Sequence, residues 1–312
     1  MKGSAIDMTA ALPPDLRTHP ALQGAIVTAT ARSGSRQQVL EIRQDGQPVI
    51  LKRYLGPSAP ARFAAAIARL TEADARMGGD NLAVRILRQL PDCHTLILSR
   101  AAGRPLQDAL HLSDDARQAI LVRRAGEWLA CLVGAAQARP FLAWKVFVRL
   151  SERAAAYAAD EAIDPELVRR HMERMHQLAR QIHLQPVGHG MAHGDFHPEN
   201  LFIDEPGDRL ILTGFDLEMA APIPVIRDLA KMLVWLQGAA LPQQPGPCVS
   251  GIHQPLFDSL CAGYAALGPA DRLALHFHIG EQMLEFYLQR GARLPEIRHR
   301  MAPALDHWGS EP

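Results

Sequence analysis

Apolar and polar residues alternate at the start of the chain, and the alternation marks strands. AIVTAT (25–30) gives way to the polar stretch ARSGSR, then QVLEI, QDGQ and PVILKRY, so residues 25–54 predict three strands joined by turns. Asp45-Gly46 is a hairpin signal, because both residues tolerate positive φ. The period then lengthens. In PARFAAAIARLTEADARM (60–77), Phe63, Ile67 and Leu70 recur at helical spacing. NLAVRILRQLPDCHTLILSR (81–100) reads as two more strands around a Pro91-Asp92 turn, and AAGRPL interrupts the pattern with Gly103 and Pro105. A boundary near residue 100 divides the chain into 1–100 and 101–312.

Past that boundary the pattern is helical. Ser113 is a candidate N-cap, with Asp114 and Asp115 in the first turn and Leu121, Ala125, Trp128, Leu129 and Leu132 on one face. Asp164-Pro165-Glu166 starts another helix, with Val168, Met172, Met175 and Ala179 as its apolar face. KMLVWLQ, LFDSLCAGYAAL and HIGEQMLEFYLQ add helical stretches, and a Pro- and Gly-rich stretch, 239–255, reads as a plain surface loop, with a lid as the alternative. The result is an α+β chain: a β-rich front third and a helical remainder.

Composition narrows the partners. Hydrophobic residues make up 48% and charged residues 21%, the balance of a folded globular protein. Lys plus Arg equals Asp plus Glu at 33 each, so no global field favours nucleic acid or an anionic membrane. Cys93, Cys131, Cys248 and Cys261 form no CxxC pair, which argues against a disulfide or zinc framework. The N-terminus lacks the apolar core of a signal peptide, and no apolar run approaches the roughly 20 residues of a membrane span, so a cytoplasmic location is expected.

The densest chemistry lies in HGDFHPEN, 193–200. His189, His193 and His197 recur every four residues, as zinc ligands on a helix would, but Gly188, Gly190, Gly194 and Pro198 oppose a helix there. Phosphoryl transfer explains the spacing without a helix. Asp195 followed five residues later by Asn200 places a base for an acceptor hydroxyl beside an amide oxygen for magnesium. LFIDEPGDRLILTGFD then reads as strand, turn, strand, which would return Asp216 to Asn200 as a second hard oxygen ligand.

HGDFHPENLFID, GFDLEMA and the RDLA at 227–230 resemble the aminoglycoside phosphotransferase and choline kinase-like enzymes, distant relatives of protein kinases. The resemblance implies a two-lobed protein-kinase-like fold, with a small antiparallel-sheet N-lobe and a mostly helical C-lobe. It makes Asp228 the acid that braces the catalytic loop and gives His193 a supporting role. It makes Lys52, in VILK, the lysine on the nucleotide phosphates, with an acid on the next helix as its partner: Glu72, or Asp74 in competition. It places Ser33, Gly34 and Ser35 over the phosphates, and the backbone of Ser99, Arg100 and Ala101, in a linker running to Ala102, against the purine. Gly34 is the loop's single glycine, where protein kinases use three.

The implied reaction moves the γ-phosphate of ATP, or GTP, with magnesium, to a hydroxyl of a small molecule. From residue 221 onward, eight acids face seven Lys or Arg, which gives no particular support to a polycationic acceptor; a sugar, amino alcohol or hydroxy amino acid fits equally. The competing classes are a nucleotide-binding pseudokinase without turnover and a metal-dependent hydrolase built on the histidines.

Overall fold

Asp45 and Gly46 adopt φ of 50° and 78°, the left-handed pair that a two-residue hairpin demands, and they fix the register of the first sheet. This computed structural model describes residues 11–217, 219, 221–239, 241 and 246–310. The chain divides into two compact units: Met1–Ala102 with Thr213–Ala220, and Gly103–Leu212 with Ala221–Pro312.

The first unit begins with the short helix α1 (Pro14–Arg17) and strands β1 (Ile26–Ser33), β2 (Gln37–Gln44) and β3 (Gln47–Tyr54). Helix α2 (Ala59–Arg76) precedes β4 (Asn81–Ala83), β5 (Ile86–Leu90) and β6 (Thr95–Ser99). Where two strands were expected in 81–100, three form. The antiparallel sheet has the order β1-β2-β3-β6-β5. Leu40, Ile42, Val49, Leu51 and Ile97 pack against Leu12, Leu16 and Leu22. Because side chains alternate along a strand, Lys52 points away from the Leu51 face, on the side of Tyr54. Tyr54 meets Phe63 of α2 edge to face at 6.3 Å between ring centroids.

The second unit contains β7 (Arg104–Pro105), α3 (Leu106–His111), α4 (Asp115–Val133), β8 (Gln137–Pro140), α5 (Ala143–Ala156), α6 (Pro165–Ile182), β9 (Pro186–Gly190) and β10 (Leu201–Asp204). After β11 (Ile211–Gly214) it continues with β12 (Ile223–Pro224), α7 (Ile226–Gly238), the hairpin β13 (Cys248–Val249) and β14 (Ile252–His253), α8 (Gln254–Tyr264), α9 (Pro269–Phe286) and α10 (Pro295–Ser310). A single π-helical turn, Tyr287–Gly291, extends α9. Of the loop expected over 239–255, residues 240 and 242–245 lie outside the described residues, and the rest includes the β13–β14 hairpin.

Two helix details differ from the sequence reading. The N-cap of α4 is Asp114, whose carboxylate accepts the N–H of Arg117 at 2.8 Å, while Ser113 turns its hydroxyl to the Ala109 carbonyl at 2.7 Å. The buried face of α6 runs through Leu167, His171, Met175, Leu178, Ala179 and Ile182, so Val168 and Met172 lie at its margin.

Glycines let α4 and α8 pack backbone to backbone. A Cβ on Gly126 would lie 2.4 Å from the Leu260 carbonyl oxygen, and one on Gly263 2.0 Å from that of Arg123. Gly263→Ala is expected to destabilise the protein by about 1–3 kcal/mol, since backbone atoms cannot step aside and the gain in helix propensity is only about 1 kcal/mol. Urea denaturation checks this by the shift of the midpoint at constant slope.

Candidate active site

His193 to Asn200 form a loop that enters a short 3-10 turn, Pro198–Asn200. Gly194 sits at φ 85°, a backbone state nearly closed to residues with a Cβ, which accounts for glycine between the histidine and the aspartate. The loop is anchored from α7. Asp228, fully buried, accepts the N–H of His193 at 2.6 Å and that of Gly194 at 2.9 Å. Burial pushes the Asp228 carboxyl up to about 6, against the lowering effect of the Gly194 and His193 bonds and of nearby Arg227 and Lys231. The His193 ring accepts the Asp195 N–H at 3.3 Å through Nδ1 and packs beside Trp128, which also stacks on Phe196.

Asp195 is the half-exposed centre of the loop. The Asn200 amide nitrogen donates to its main-chain carbonyl at 2.9 Å and lies 3.4 Å from carboxylate Oδ2. His197 Nε2 also lies 3.4 Å from Oδ2, and Lys231 of α7 forms an ion pair with Oδ1. Burial alone would raise the Asp195 carboxyl, but His197 and Lys231 outweigh it and hold the group well below the usual carboxylate range. His197 stacks on Trp235, with ring centroids 4.4 Å apart, and Arg290 lies 4.2 Å from the centre of the same indole.

In the first unit, Lys52 and Asp216 form an ion pair, and the Lys52 ammonium lies 5.5 Å from the Tyr54 ring centre. Lys52 is 7% exposed, which is low for a lysine and consistent with a held charge. Asp216 has φ 64°, a left-handed conformation that Asp tolerates better than most residues. A cavity of about 350 Å³ is lined by Arg32, Gly34, Ser35, Arg36, Gln37, Arg62 and Asp216. Its three guanidinium groups suit an anionic ligand.

Several expected contacts are rearranged. Glu72 is not brought to Lys52: it pairs with Arg69 at 2.9 Å and Arg76 at 3.0 Å on its own helix, and Lys52 takes Asp216 instead. Ser33 ends β1 outside the cavity lining; Gly34 and Ser35 line the cavity, with the Gly34 N–H bound to the Gln37 carbonyl at 3.0 Å. The Ser99 N–H is occupied by the Arg85 carbonyl at 2.9 Å and its hydroxyl by the Arg85 N–H. Arg100 turns its side chain to Glu41, and Arg100 and Ala101 follow the end of β6. The three histidines of the zinc reading separate: His189 bonds the Val187 carbonyl on β9, His193 faces Trp128, and His197 faces Trp235. The sequence reading does not single out Lys231, although the lysine stands one helical turn after Asp228.

The profile of the Phosphotransferase enzyme family matches residues 28–248. None of the curated proteins matches. Among solved structures, aminoglycoside 2′-phosphotransferase-IIIa in its GDP complex is 13% identical, with a TM-score of 0.58 over 95% of this chain and 96% of that one. A choline/ethanolamine kinase family protein from Mesorhizobium loti is 14% identical, with a TM-score of 0.56 over 97% and 92%. A macrolide 2′-phosphotransferase from Brachybacterium faecium is 18% identical, with a TM-score of 0.53 over 89% and 91%. The sheet-then-helix architecture is that of the protein-kinase-like phosphotransferases, and the enzyme class is that of small-molecule kinases. The chain belongs to the phosphotransferase enzyme family. No helix among the described residues is long and apolar enough to cross a membrane.

Proposed function

We propose that the protein transfers the γ-phosphate of ATP or GTP to a hydroxyl group of a small molecule, with Asp195 as the base. The observation that carries this reading is the locked pair of Asp195 and Asn200. The amide nitrogen of Asn200 is tied to the Asp195 carbonyl and faces His197 Nε2 at 3.1 Å, and among the described residues no hydrogen bond engages its oxygen. An amide oxygen and the Asp216 carboxylate are hard donors of the kind magnesium takes, and these two residues would hold it. Bound there, the metal would supply positive charge to the phosphate oxygens.

Lys52 anchors the nucleotide phosphates, as its burial and its carboxylate partner equip it to do. Asp195 orients the acceptor hydroxyl and receives its proton, and Asp228 holds the loop through the His193 and Gly194 amides. The acceptor is a small hydroxyl compound. The site has neither the helix nor the convergent imidazoles that the hydrolase reading requires.

The test is thermal unfolding with ATP and with GTP, each with and without magnesium. A rise of several degrees that requires magnesium is expected, because ligand at about 100 times its Kd contributes roughly 2.7 kcal/mol. No shift with either nucleotide would overturn the reading.

Turnover should also fall on the acid side with a midpoint near pH 6, set by Asp228. Its folded pKa lies above the unfolded value of 3.8, so protonation favours the folded state and the protein does not unfold through this group as pH falls. What weakens is the acceptor: a protonated carboxyl holds the His193 and Gly194 amides less strongly than the charged carboxylate does. Asp195, kept well below the usual carboxylate range, stays ionised through the same window. A pH profile of nucleotide turnover beside a pH profile of the unfolding midpoint separates the two effects.

A further inference from the structure

We propose that Lys231 is a further catalytic residue, a cation that leaves Asp195 for the phosphoryl group under transfer. The inference rests on the phosphotransfer reading above and goes beyond the Asp195, Asn200 and Asp216 set that the loop motif supplies.

Both oxygens of Asp195 are engaged. Oδ1 is held by Lys231, and Oδ2 faces His197 and Asn200 at 3.4 Å each. A carboxylate oxygen can accept a second donor, but a hydroxyl that is to pass its proton to one of these oxygens has the clearest approach where a partner yields. Asn200 and His197 are both 8% exposed; the first is tied to the Asp195 main chain, and the second is stacked on Trp235. Lys231 is the loosest of the three. Its side chain is 27% exposed, it is flexible, and among the described residues Asp195 is its one ion-pair partner.

Charge gives the lysine a destination. HGDFHPEN contains Asp195 and Glu199 but no Lys or Arg, so the loop has no permanent cation of its own. Charge on the phosphoryl oxygens is what a phosphotransferase must stabilise, and several phosphate oxygens outcompete one carboxylate for an ammonium group. Lys231 is also well placed to make the exchange. It lies three residues after Asp228 on α7, and Asp228 is bonded to the loop backbone, so helix and loop are held in fixed register.

In the step, the acceptor O–H bond breaks and its proton passes to Asp195 Oδ1. The acceptor oxygen forms its bond to the γ-phosphorus, and the bond from that phosphorus to the bridging oxygen breaks with its electron pair remaining on the nucleoside diphosphate. Lys231 stays protonated throughout. By moving to the phosphoryl oxygens it exposes the base and offsets the transferred charge.

The test is calorimetric binding of ADP and of its non-hydrolysable triphosphate analogue AMP-PNP, with magnesium, and of the guanine counterparts. The proteins are the wild type, Lys231→Met, Lys231→Arg and, in case the apolar tip prevents folding, Lys231→Gln. The expected result is a loss of AMP-PNP affinity of about tenfold or more in the Met or Gln variant, the value of one charge-assisted hydrogen bond, with ADP affinity nearly unchanged. Arg should restore most of the preference for triphosphate. A Met or Gln variant that keeps the wild-type ratio of AMP-PNP to ADP affinity overturns the proposal and leaves Lys231 as a partner of Asp195 alone. If the folded wild type binds neither nucleotide, the phosphotransfer reading fails as well, and the two failures are thereby distinct.

Discussion

Asp195→Asn lowers turnover by about 10²- to 10⁴-fold and leaves nucleotide affinity close to that of the wild type. The amide has nearly the shape of the carboxylate, so the loop framework built on Gly194, Asp228 and the Asn200 bond to the Asp195 carbonyl survives. What disappears is the group that can accept a proton. Because the nucleotide phosphates are assigned to other residues, Lys52 among them, the loss belongs to kcat and not to nucleotide KM. Nucleotide turnover measured with a panel of hydroxyl acceptors, and with water as acceptor where none is active, gives the ratio. A variant with wild-type turnover would remove Asp195 from the role of base.

Asp216→Ala is expected to abolish the magnesium dependence of nucleotide binding and to depress turnover at least as severely. Two effects combine. The substitution removes a hard oxygen ligand and also the ion pair that Asp216 makes with Lys52, which is 7% exposed. Thermal unfolding separates them: the stability of the apo protein falls by an amount measured without ligand, whereas the magnesium-dependent part of the nucleotide shift disappears altogether. A variant that retained the full magnesium-dependent shift would place the metal ligand elsewhere.

The hairpin and the catalytic loop are readable in the sequence wherever a local rule fixes geometry. Asp45-Gly46 turns as its φ preferences dictate, and the five-residue step from Asp195 to Asn200 is realised as a direct contact. Competition between equally plausible local partners was harder to foresee. Glu72 has an arginine three residues before it and another four after it, and these helical neighbours reach its carboxylate. The spacing was visible in the sequence, but it stood against an expectation drawn from the family. Ser113 and Asp114 are both good caps, and only the chain's entry direction selects the second. Lys231 was hidden for another reason. It lies 36 residues from Asp195, and the packing of α7 against the loop, with no motif to signal it, creates the ion pair.

The aromatic residues supply an unplanned optical contrast. All four tryptophans, Trp128, Trp144, Trp235 and Trp308, fall in the helical unit, and each lies against at least one histidine ring. Indole emission therefore follows the melting of that unit alone, while far-ultraviolet dichroism registers the sheet unit too. Any gap between the two transitions on heating is a direct reading of how tightly the two halves are coupled in folding, obtained without attaching a dye.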